Sequence, residues 1–237
     1  SVFKTFIIAA ALENDLVKPN TVFKNLERSL NCGKYKISEH DKLPQILSTE
    51  QILIRSSNIG AVRIAQKVGI EKYKEFLNSL GLLDAINFDL GEVGTPIPFK
   101  WGKCKLATAS YGHGITTTPL QLAKAYAILG NRGYNIKPSI LKTDQDISEN
   151  KRKIVSEKTS KEINAMLRKV VSLNEGTANF ANIEGYDVGG KTGTALKYNS
   201  KAKLNTFVSL FPANKPKYVL LVMLDEPKPA PKFIYEF

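Results

Sequence analysis

The stretch DVGGKTGTAL at residues 187–196 is the most informative part of the sequence. Its composition predicts a β-strand, yet two glycines, Gly189 and Gly190, stand directly before Lys191. Glycine inside a strand indicates either a bulge or a close approach of the backbone to another group. Lys191 offers a positive charge to a carboxylate and Thr192 offers a hydroxyl. The stretch is therefore either an edge strand with a glycine bulge or one wall of a binding cleft.

Two further strands are predicted downstream, at residues 204–211 and 218–224. The residues between the three strands, 199–200 and 212–216, are rich in Asn, Ser and Pro and suit hairpin turns. The last third of the sequence therefore predicts a meander of three antiparallel strands.

The spacing of apolar residues predicts helices in the rest of the chain, at residues 2–13, 49–54, 57–68, 71–80, 119–129 and 160–172. Gly69 and Gly81 stand where helix C-terminal glycines belong, and Thr118 is the predicted N-cap of the fifth helix. Residues 21–48 predict no long element, and residues 84–104 predict a long loop. Helices first and a meander last indicate the α+β class, with helices packed on an antiparallel sheet.

A Ser-x-x-Lys pair on a helix places a hydroxyl and an amine on one face, where the amine can take the hydroxyl proton. The pattern occurs at Ser1, Ser139 and Ser200, each with a lysine three residues later. Ser139 falls in a predicted strand, where such a pair points to opposite faces, and Ser200 falls in a predicted turn. Only Ser1 and Lys4 open an amphipathic helix, so they are the candidate nucleophile and base.

A Ser-x-Asn pattern is weaker evidence, because Ser and Asn are common helix caps. It occurs four times, and only Ser56 and Asn58 lie in a short loop between two predicted helices. Such a loop can project both side chains into a cleft. Taken together, Ser1–Lys4, Ser56–Asn58 and Lys191–Gly193 form the ordered motif set of penicillin-binding proteins and serine β-lactamases.

The sequence around these motifs resembles class B penicillin-binding proteins over nearly its whole length. The resemblance rests on RSSNIG at 55–60, SYGHG at 110–114, TPLQLA at 118–123 and GGKTGTA at 189–195. The Gly-His-Gly stretch and LDEP at 224–227 resemble the division-specific branch of the family. The resemblance to class B penicillin-binding proteins implies a β-lactamase/transpeptidase-like fold for residues 1–237, which we interpret as one partial transpeptidase domain.

The resemblance also implies a peptidoglycan D,D-transpeptidase that forms an acyl-enzyme on D-Ala-D-Ala stem peptides and is a target of β-lactam antibiotics. It assigns catalysis to Ser1, Lys4, Ser56, Asn58 and Lys191, and substrate binding to Lys191, Thr192, Gly193 and Thr194. Lys4 would be kept neutral by the charge of Lys191 and act as the base, and Asn58 would orient Lys4. No cofactor and no metal are implied.

The family implies that the whole protein sits in the bacterial inner membrane with its catalytic domain in the periplasm. An upstream anchor would attach it to the membrane, and a septal glycosyltransferase and other division proteins would be its partners. The family sheet normally has strands before the nucleophile helix and a long helix after the last strand. Neither is visible here, so we expect a fragment truncated at both ends.

The bulk composition gives little support to other classes of protein, such as nucleic-acid-binding, zinc-binding or membrane-spanning proteins. The net charge is +12, from 34 basic and 22 acidic residues, but the basic residues are scattered and no nucleic-acid motif accompanies them. Two cysteines and two histidines do not form a convincing zinc set. Cys32 and Cys104 are either one disulfide or two buried thiols. The longest apolar runs are far shorter than the roughly 20 residues that span a bilayer.

Two other functions remain open. A serine β-lactamase or β-lactam sensor carries the same motifs, but a β-lactamase also needs a group that activates the hydrolytic water. No extra Glu motif stands before the Lys-Thr-Gly stretch. A non-catalytic scaffold with a decayed site is the other alternative, and the intact motifs argue against it. His113 is expected to serve loop packing, and Trp101 to be a packing anchor.

Overall fold

The computed structural model describes residues 2–33, 35–91, 93–98, 100–142, 152–197 and 202–228 of the 237-residue chain. Its helices are α1 (Lys4–Glu13), α2 (Thr49–Ile54), α3 (Asn58–Val68), α4 (Ile70–Ser79), α5 (Lys103–Ser110), α6 (Pro119–Gly130) and α7 (Glu157–Ser172). Its strands are β1 (Val22–Phe23), β2 (Ser29–Cys32), β3 (Tyr35–Ser38), β4 (Leu47–Ser48), β5 (Gly189–Leu196), β6 (Lys203–Phe211) and β7 (Tyr218–Asp225). The predicted α+β class is confirmed.

The main sheet is an antiparallel meander in the order β5-β6-β7. The register of β5 on β6 runs unbroken from Gly189–Leu210 to Leu196–Lys203, so β5 contains no bulge. A Cβ on Gly189 would lie 3.1 Å from the backbone nitrogen of Arg168 in α7, and one on Gly190 would lie 2.7 Å from the carbonyl oxygen of Val208. The two glycines therefore let β5 pack closely between α7 and β6.

The helix α1 is buried on every side from Lys4 to Leu12. It packs against α2, α3, α4, α5 and α7. Burial on all faces is unusual for a helix that carries a lysine, because an unpaired charge is costly to bury. The fold therefore holds the amine of Lys4 inside the protein.

Local sequence signals start and end several of the helices, and those at Thr118 and Gly69 were predicted. Thr118 and Gln121 form a capping box at the start of α6, with Pro119 in the first turn. Ser57 caps α3 by accepting a hydrogen bond from the backbone nitrogen of Gly60 at 2.8 Å. Gly69 ends α3 with a φ of +81°, a backbone conformation that glycine adopts readily.

The region 21–48 forms two small antiparallel pairs, β1 with β4 and β2 with β3. The β2–β3 hairpin is covalently joined to α5, because Cys32 and Cys104 form a disulfide. The disulfide settles the choice that the sequence left open. It fixes the hairpin against the helical part of the fold, next to α3.

We expect reduction of this disulfide to lower the free energy of unfolding by about 2–5 kcal/mol, since the cross-link constrains the unfolded chain across 72 residues. Urea unfolding with and without a reductant measures the change. A Cys32→Ser/Cys104→Ser double variant is the control and should be as unstable as the reduced protein and insensitive to reductant. An unfolding midpoint that does not move when both thiols titrate as reduced would contradict this expectation.

Within the described part of the chain, helices pack on one face of the sheet. α7 packs on β5, and α6 packs on β6 and β7. The side chains of Tyr218, Leu220, Val222 and Leu224 on β7 are between 43% and 60% exposed. Within the described ranges, no helix is both long enough and apolar enough to cross a bilayer.

Candidate active site

Three segments that are far apart in the sequence meet at the side chain of Ser56. Lys4 Nζ, from α1, donates a hydrogen bond to Ser56 Oγ at 2.9 Å. Lys191 Nζ, from β5, donates to the same oxygen at 2.9 Å. Lys4 Nζ also donates to the carbonyl oxygen of Ser56. The structure thus brings together three of the five predicted catalytic residues around a single hydroxyl.

Ser1, the predicted nucleophile, lies outside the described residues. Its predicted base, Lys4, stands at the first position of α1 and is 1% exposed. Lys191 is fully buried in β5. The two amines are therefore withdrawn from water, and hydroxyl and carbonyl oxygens take the place of water around them.

Burial lowers the pKa of Lys4 from 10.5 to about 8, against the opposing effect of the Glu39 carboxylate. Burial also lowers the pKa of Lys191, and the positive charge of Lys4 lowers it further. Two ammonium groups bonded to one hydroxyl repel each other, so a proton on one amine disfavours a proton on the other. From the sequence, the charge of Lys191 was expected to keep Lys4 neutral. The structure assigns the lowered pKa of Lys4 first to burial.

Ser56 itself has a strained backbone. It stands between α2 and α3 with a φ of +58°, in the left-handed region that residues other than glycine seldom occupy. A residue held in this region costs about 1–3 kcal/mol and persists only where surrounding contacts enforce it. In this backbone conformation, both the hydroxyl and the carbonyl oxygen of Ser56 accept hydrogen bonds from Lys4.

The contacts that enforce this loop come from the end of the β2–β3 hairpin. The side-chain amide of Asn58 donates to the carbonyl oxygen of Ser38 at 2.8 Å. The carboxylate of Glu39 accepts hydrogen bonds from Ser57 Oγ at 2.6 Å and from the backbone nitrogens of Asn58 at 2.8 Å and Ile59 at 2.9 Å. Sequence reasoning missed Glu39. The orientation of Lys4 by Asn58 stays a prediction.

A second missed residue, Thr177, stands beside β5. Its Oγ1 accepts a hydrogen bond from Lys191 Nζ at 3.3 Å and lies 3.1 Å from Thr192 Oγ1. Lys191 Nζ also donates to the carbonyl oxygen of Thr192 at 3.1 Å. Thr177 follows Gly176. A Cβ atom added at position 176 would lie 2.1 Å from the carbonyl oxygen of Val170, so a glycine is required there. A Gly-Thr pair after a helix was the only sequence signal for this residue.

The predicted substrate-binding residues lie on an accessible strand. β5 is the outer strand of the meander among the described strands, so half of its backbone groups face away from β6. Thr192 and Gly193 are half-buried and Thr194 is exposed. An outer strand of this kind can accept an extended peptide through main-chain hydrogen bonds. The wall of the site therefore suits a peptide that ends in a carboxylate near Lys191.

This arrangement has one clear chemical capability. An amine, a hydroxyl and a second amine form a buried hydrogen-bonded chain next to the outer edge of β5. A neutral amine in such a chain can take a proton from a hydroxyl nucleophile and later return it to a leaving amine. Among the described residues, no three or more His, Cys, Asp or Glu side chains are arranged to hold a metal ion.

Comparison with known proteins identifies the family. The family model of the penicillin binding protein transpeptidase domain matches residues 1–234. The chain belongs to this transpeptidase family. Within the transpeptidase family it is 34% identical, over 242 residues, to the peptidoglycan D,D-transpeptidase FtsI of Buchnera aphidicola. That alignment covers 96% of this chain and 41% of the relative.

Solved structures of transpeptidase-family proteins have the same fold. The transpeptidase domain of penicillin-binding protein 3 from Burkholderia pseudomallei is 30% identical, with a TM-score of 0.89 over 95% of this chain and 70% of that one. Penicillin-binding protein 3 of Mycobacterium tuberculosis, solved in complex with aztreonam, is 26% identical, with a TM-score of 0.86 over 96% of this chain and 56% of that one. The chain spans about two fifths of the length of the curated relatives it matches.

Other motif residues of this transpeptidase-family chain lie outside the cluster. Ser139 is exposed and donates to Asp89 Oδ2 at 2.6 Å, and the strand predicted around it is wrong. Ser200 lies outside the described residues. His113 is exposed and its ring stacks on Tyr111, and the ring of Trp101 packs edge-on against Tyr73. Both contacts agree with the packing roles expected for His113 and Trp101.

Proposed function

We propose that this chain is the catalytic domain of a peptidoglycan D,D-transpeptidase, with residues 1–237 forming one domain. The observation that carries the proposal is the pair of buried amines, Lys4 Nζ and Lys191 Nζ, each 2.9 Å from Ser56 Oγ. Such a pair is costly to bury, and a buried amine with a lowered pKa can serve as the base for a hydroxyl nucleophile in acyl transfer. The substrate is the stem peptide that ends in D-Ala-D-Ala.

The first half of the reaction forms an ester. Lys4 Nζ takes the hydroxyl proton of Ser1 as Ser1 Oγ bonds to the carbonyl carbon of the penultimate D-Ala. Backbone N–H groups of Ser1 and Thr194 hold the oxyanion. The C–N bond to the terminal D-Ala then breaks, and its amine receives the proton from Lys4 through Ser56 Oγ. Lys191 and Thr192 hold the terminal carboxylate.

The second half forms the cross-link. The amine of a second stem peptide bonds to the ester carbon and gives up a proton to Lys4. The bond to Ser1 Oγ breaks, and Ser1 recovers its proton. A β-lactam resembles D-Ala-D-Ala and acylates Ser1 in the same way, but no amine leaves the site, so the ester persists. The aztreonam complex of the mycobacterial relative supports β-lactam binding here.

The finer biological assignment follows the relatives. The likeness to the peptidoglycan D,D-transpeptidase FtsI of Buchnera aphidicola supports peptidoglycan as the substrate. We further propose a role in division, with a septal glycosyltransferase and other division proteins as partners. We place the whole protein in the bacterial inner membrane, held by an upstream anchor, with this domain in the periplasm. Asn58 would hold the substrate amide, and Gly193 would allow the peptide backbone to approach β5.

A fluorescent penicillin tests the proposal. The protein should form a long-lived covalent adduct and release D-Ala from a peptide ending in D-Ala-D-Ala. The matched control, Ser1→Ala, should do neither. Rapid release of hydrolysed penicillin would instead indicate a β-lactamase. A folded protein that forms no adduct at all would indicate a scaffold, and either result would overturn the transpeptidase assignment.

A further inference from the structure

Residues 56–59, which follow α2 and begin α3, are called the catalytic loop here. Glu39 makes more hydrogen bonds with this loop than any of the residues that the motifs identify. One carboxylate oxygen accepts from Ser57 Oγ at 2.6 Å and from the backbone nitrogen of Ile59 at 2.9 Å. The other accepts from the backbone nitrogen of Asn58 at 2.8 Å. Backbone N–H groups at a helix start have no partner within the helix and favour negative charge. Glu39 therefore fixes the start of α3, directly after Ser56.

The same carboxylate acts on the amine of Lys4. Its negative charge raises the pKa of Lys4, against the larger lowering by burial. Among the described residues, the other charged group beside Lys4 is Lys191 on β5, which shares Ser56 Oγ with it. The helices packed on α1 add no further charged partner among the described residues. Glu39 is thus the one acidic group that balances two basic groups in the described part of the site.

A second glutamate, Glu13, also caps the start of a helix but lies away from the catalytic loop. It therefore serves to separate the effect of helix capping from an effect on the site. Glu13, at the other end of α1, accepts hydrogen bonds from the backbone nitrogen of Ser156 at 2.9 Å and from Ser156 Oγ at 2.8 Å. It secures the start of α7 in the way that Glu39 secures the start of α3. Glu13 is nine residues from Lys4 along α1, or roughly 13 Å. It provides a matched cap that does not touch the catalytic loop.

We propose that Glu39 is a positioning residue for the acyl-transfer reaction: its carboxylate holds the loop of Ser56 in its strained conformation, and its negative charge acts on the amine of Lys4. This inference rests on the proposed function and adds to it a residue outside the three motifs. Glu39 acts on the site through Ser57, Asn58 and Ile59 and not by contact with the substrate.

The test is the pH dependence of acylation by a fluorescent penicillin, measured for the wild type, Glu39→Gln, Glu39→Asp and Glu13→Gln. We expect Glu39→Gln to lower the maximal rate by about 10- to 100-fold, because the loop is released. We also expect it to move the midpoint of the acid limb downward by about one pH unit, because Lys4 loses its stabilising charge. Glu39→Asp keeps the charge and should keep the midpoint, with a maximal rate between the other two.

Glu13→Gln is the control for lost capping. It should lower the melting temperature and leave the maximal rate and the midpoint of the acid limb unchanged. The proposal is overturned if Glu39→Gln retains the wild-type rate and midpoint, or if Glu13→Gln shifts the midpoint equally. Should Glu39→Gln fail to fold, Glu39→Asp decides alone, and a wild-type maximal rate in that variant overturns the proposal.

Two readouts separate this inference from the proposed function, because neither needs acylation. Carbon NMR of labelled lysine should show Lys4 Cε titrating at lower pH in Glu39→Gln than in the wild type. Hydrogen exchange should show the amides of Asn58 and Ile59 exchanging faster in the variant. If both change in a protein that no penicillin acylates, Glu39 positions this site and the transpeptidase function is wrong. If neither changes, Glu39 has no such role.

Discussion

Replacing Lys4 by methionine is expected to lower the second-order rate of acylation by penicillin by about 10²- to 10⁴-fold, the range that a positioned general base contributes. Methionine has a similar length and is apolar, so it fits the buried site that holds Lys4 at 1% exposure. The loss would therefore come from chemistry and not from unfolding. Stopped-flow fluorescence with a labelled penicillin measures the rate, and a thermal melt verifies the fold.

A lysine outside the site provides the matched control. Lys169 on α7 pairs with Glu50 at 2.6 Å and is half exposed, so Lys169→Met should leave acylation unchanged. A rate for Lys4→Met within a factor of about three of the wild type would exclude Lys4 as the base, since a base contributes far more than that. Lys191, the other amine bonded to Ser56 Oγ, would then be the candidate.

Acylation should also depend steeply on pH. The amine of Lys4 accepts a proton only when it is neutral, and burial lowers its pKa to about 8. Below that value the protonated fraction rises, so the rate should be about 50-fold lower at pH 6 than at pH 8 and should approach a tenfold fall for each further pH unit. The rate falls toward acid pH because the amine of Lys4 must lose its proton before it can act as a base.

The rate of acylation between pH 5.5 and 9 tests this dependence, with melting temperatures recorded at each pH to exclude unfolding. Lys4→Met provides the comparison, since its residual rate should lack this acid limb. A wild-type rate that stays constant between pH 6 and 8 would show that Lys4 is already neutral at pH 6. Burial and Lys191 would then outweigh Glu39 far more than the contacts described above suggest.

Much of the fold could be predicted from the sequence, because local signals agree with the tertiary structure. The three strands of the meander, the capping box at Thr118 and the glycine after α3 all follow from nearby residues. The helix α5 was missed because it has no side-chain cap at Gly102 and its residues 106–110 are buried, which removes the apolar periodicity. The short strands of 21–48 depend on pairing across the chain rather than on local propensity.

The residues of the site also fall into two groups: those that a local motif indicates, and those that depend on contacts between distant parts of the chain. Lys4, Ser56 and Lys191 were found because each lies in a motif with a distinctive residue order. Glu39 was missed because its partners, Ser57, Asn58 and Ile59, are about 20 positions away, and a glutamate in a turn-rich region has no distinctive sequence context. The effect of burial on Lys4 was underestimated for a related reason. A helix spacing shows which face is apolar, but it does not show that every face is covered.

The hydroxyl shared by Lys4 and Lys191 also couples ligand binding to protons. An incoming carboxylate next to Lys191 favours a proton on that amine, and the like charge then favours the neutral form of Lys4. The carboxylate binds less well as the solution becomes more alkaline, because Lys191 then loses its proton. Chemistry limits turnover on the acid side and binding limits it on the alkaline side, which gives a bell-shaped activity profile.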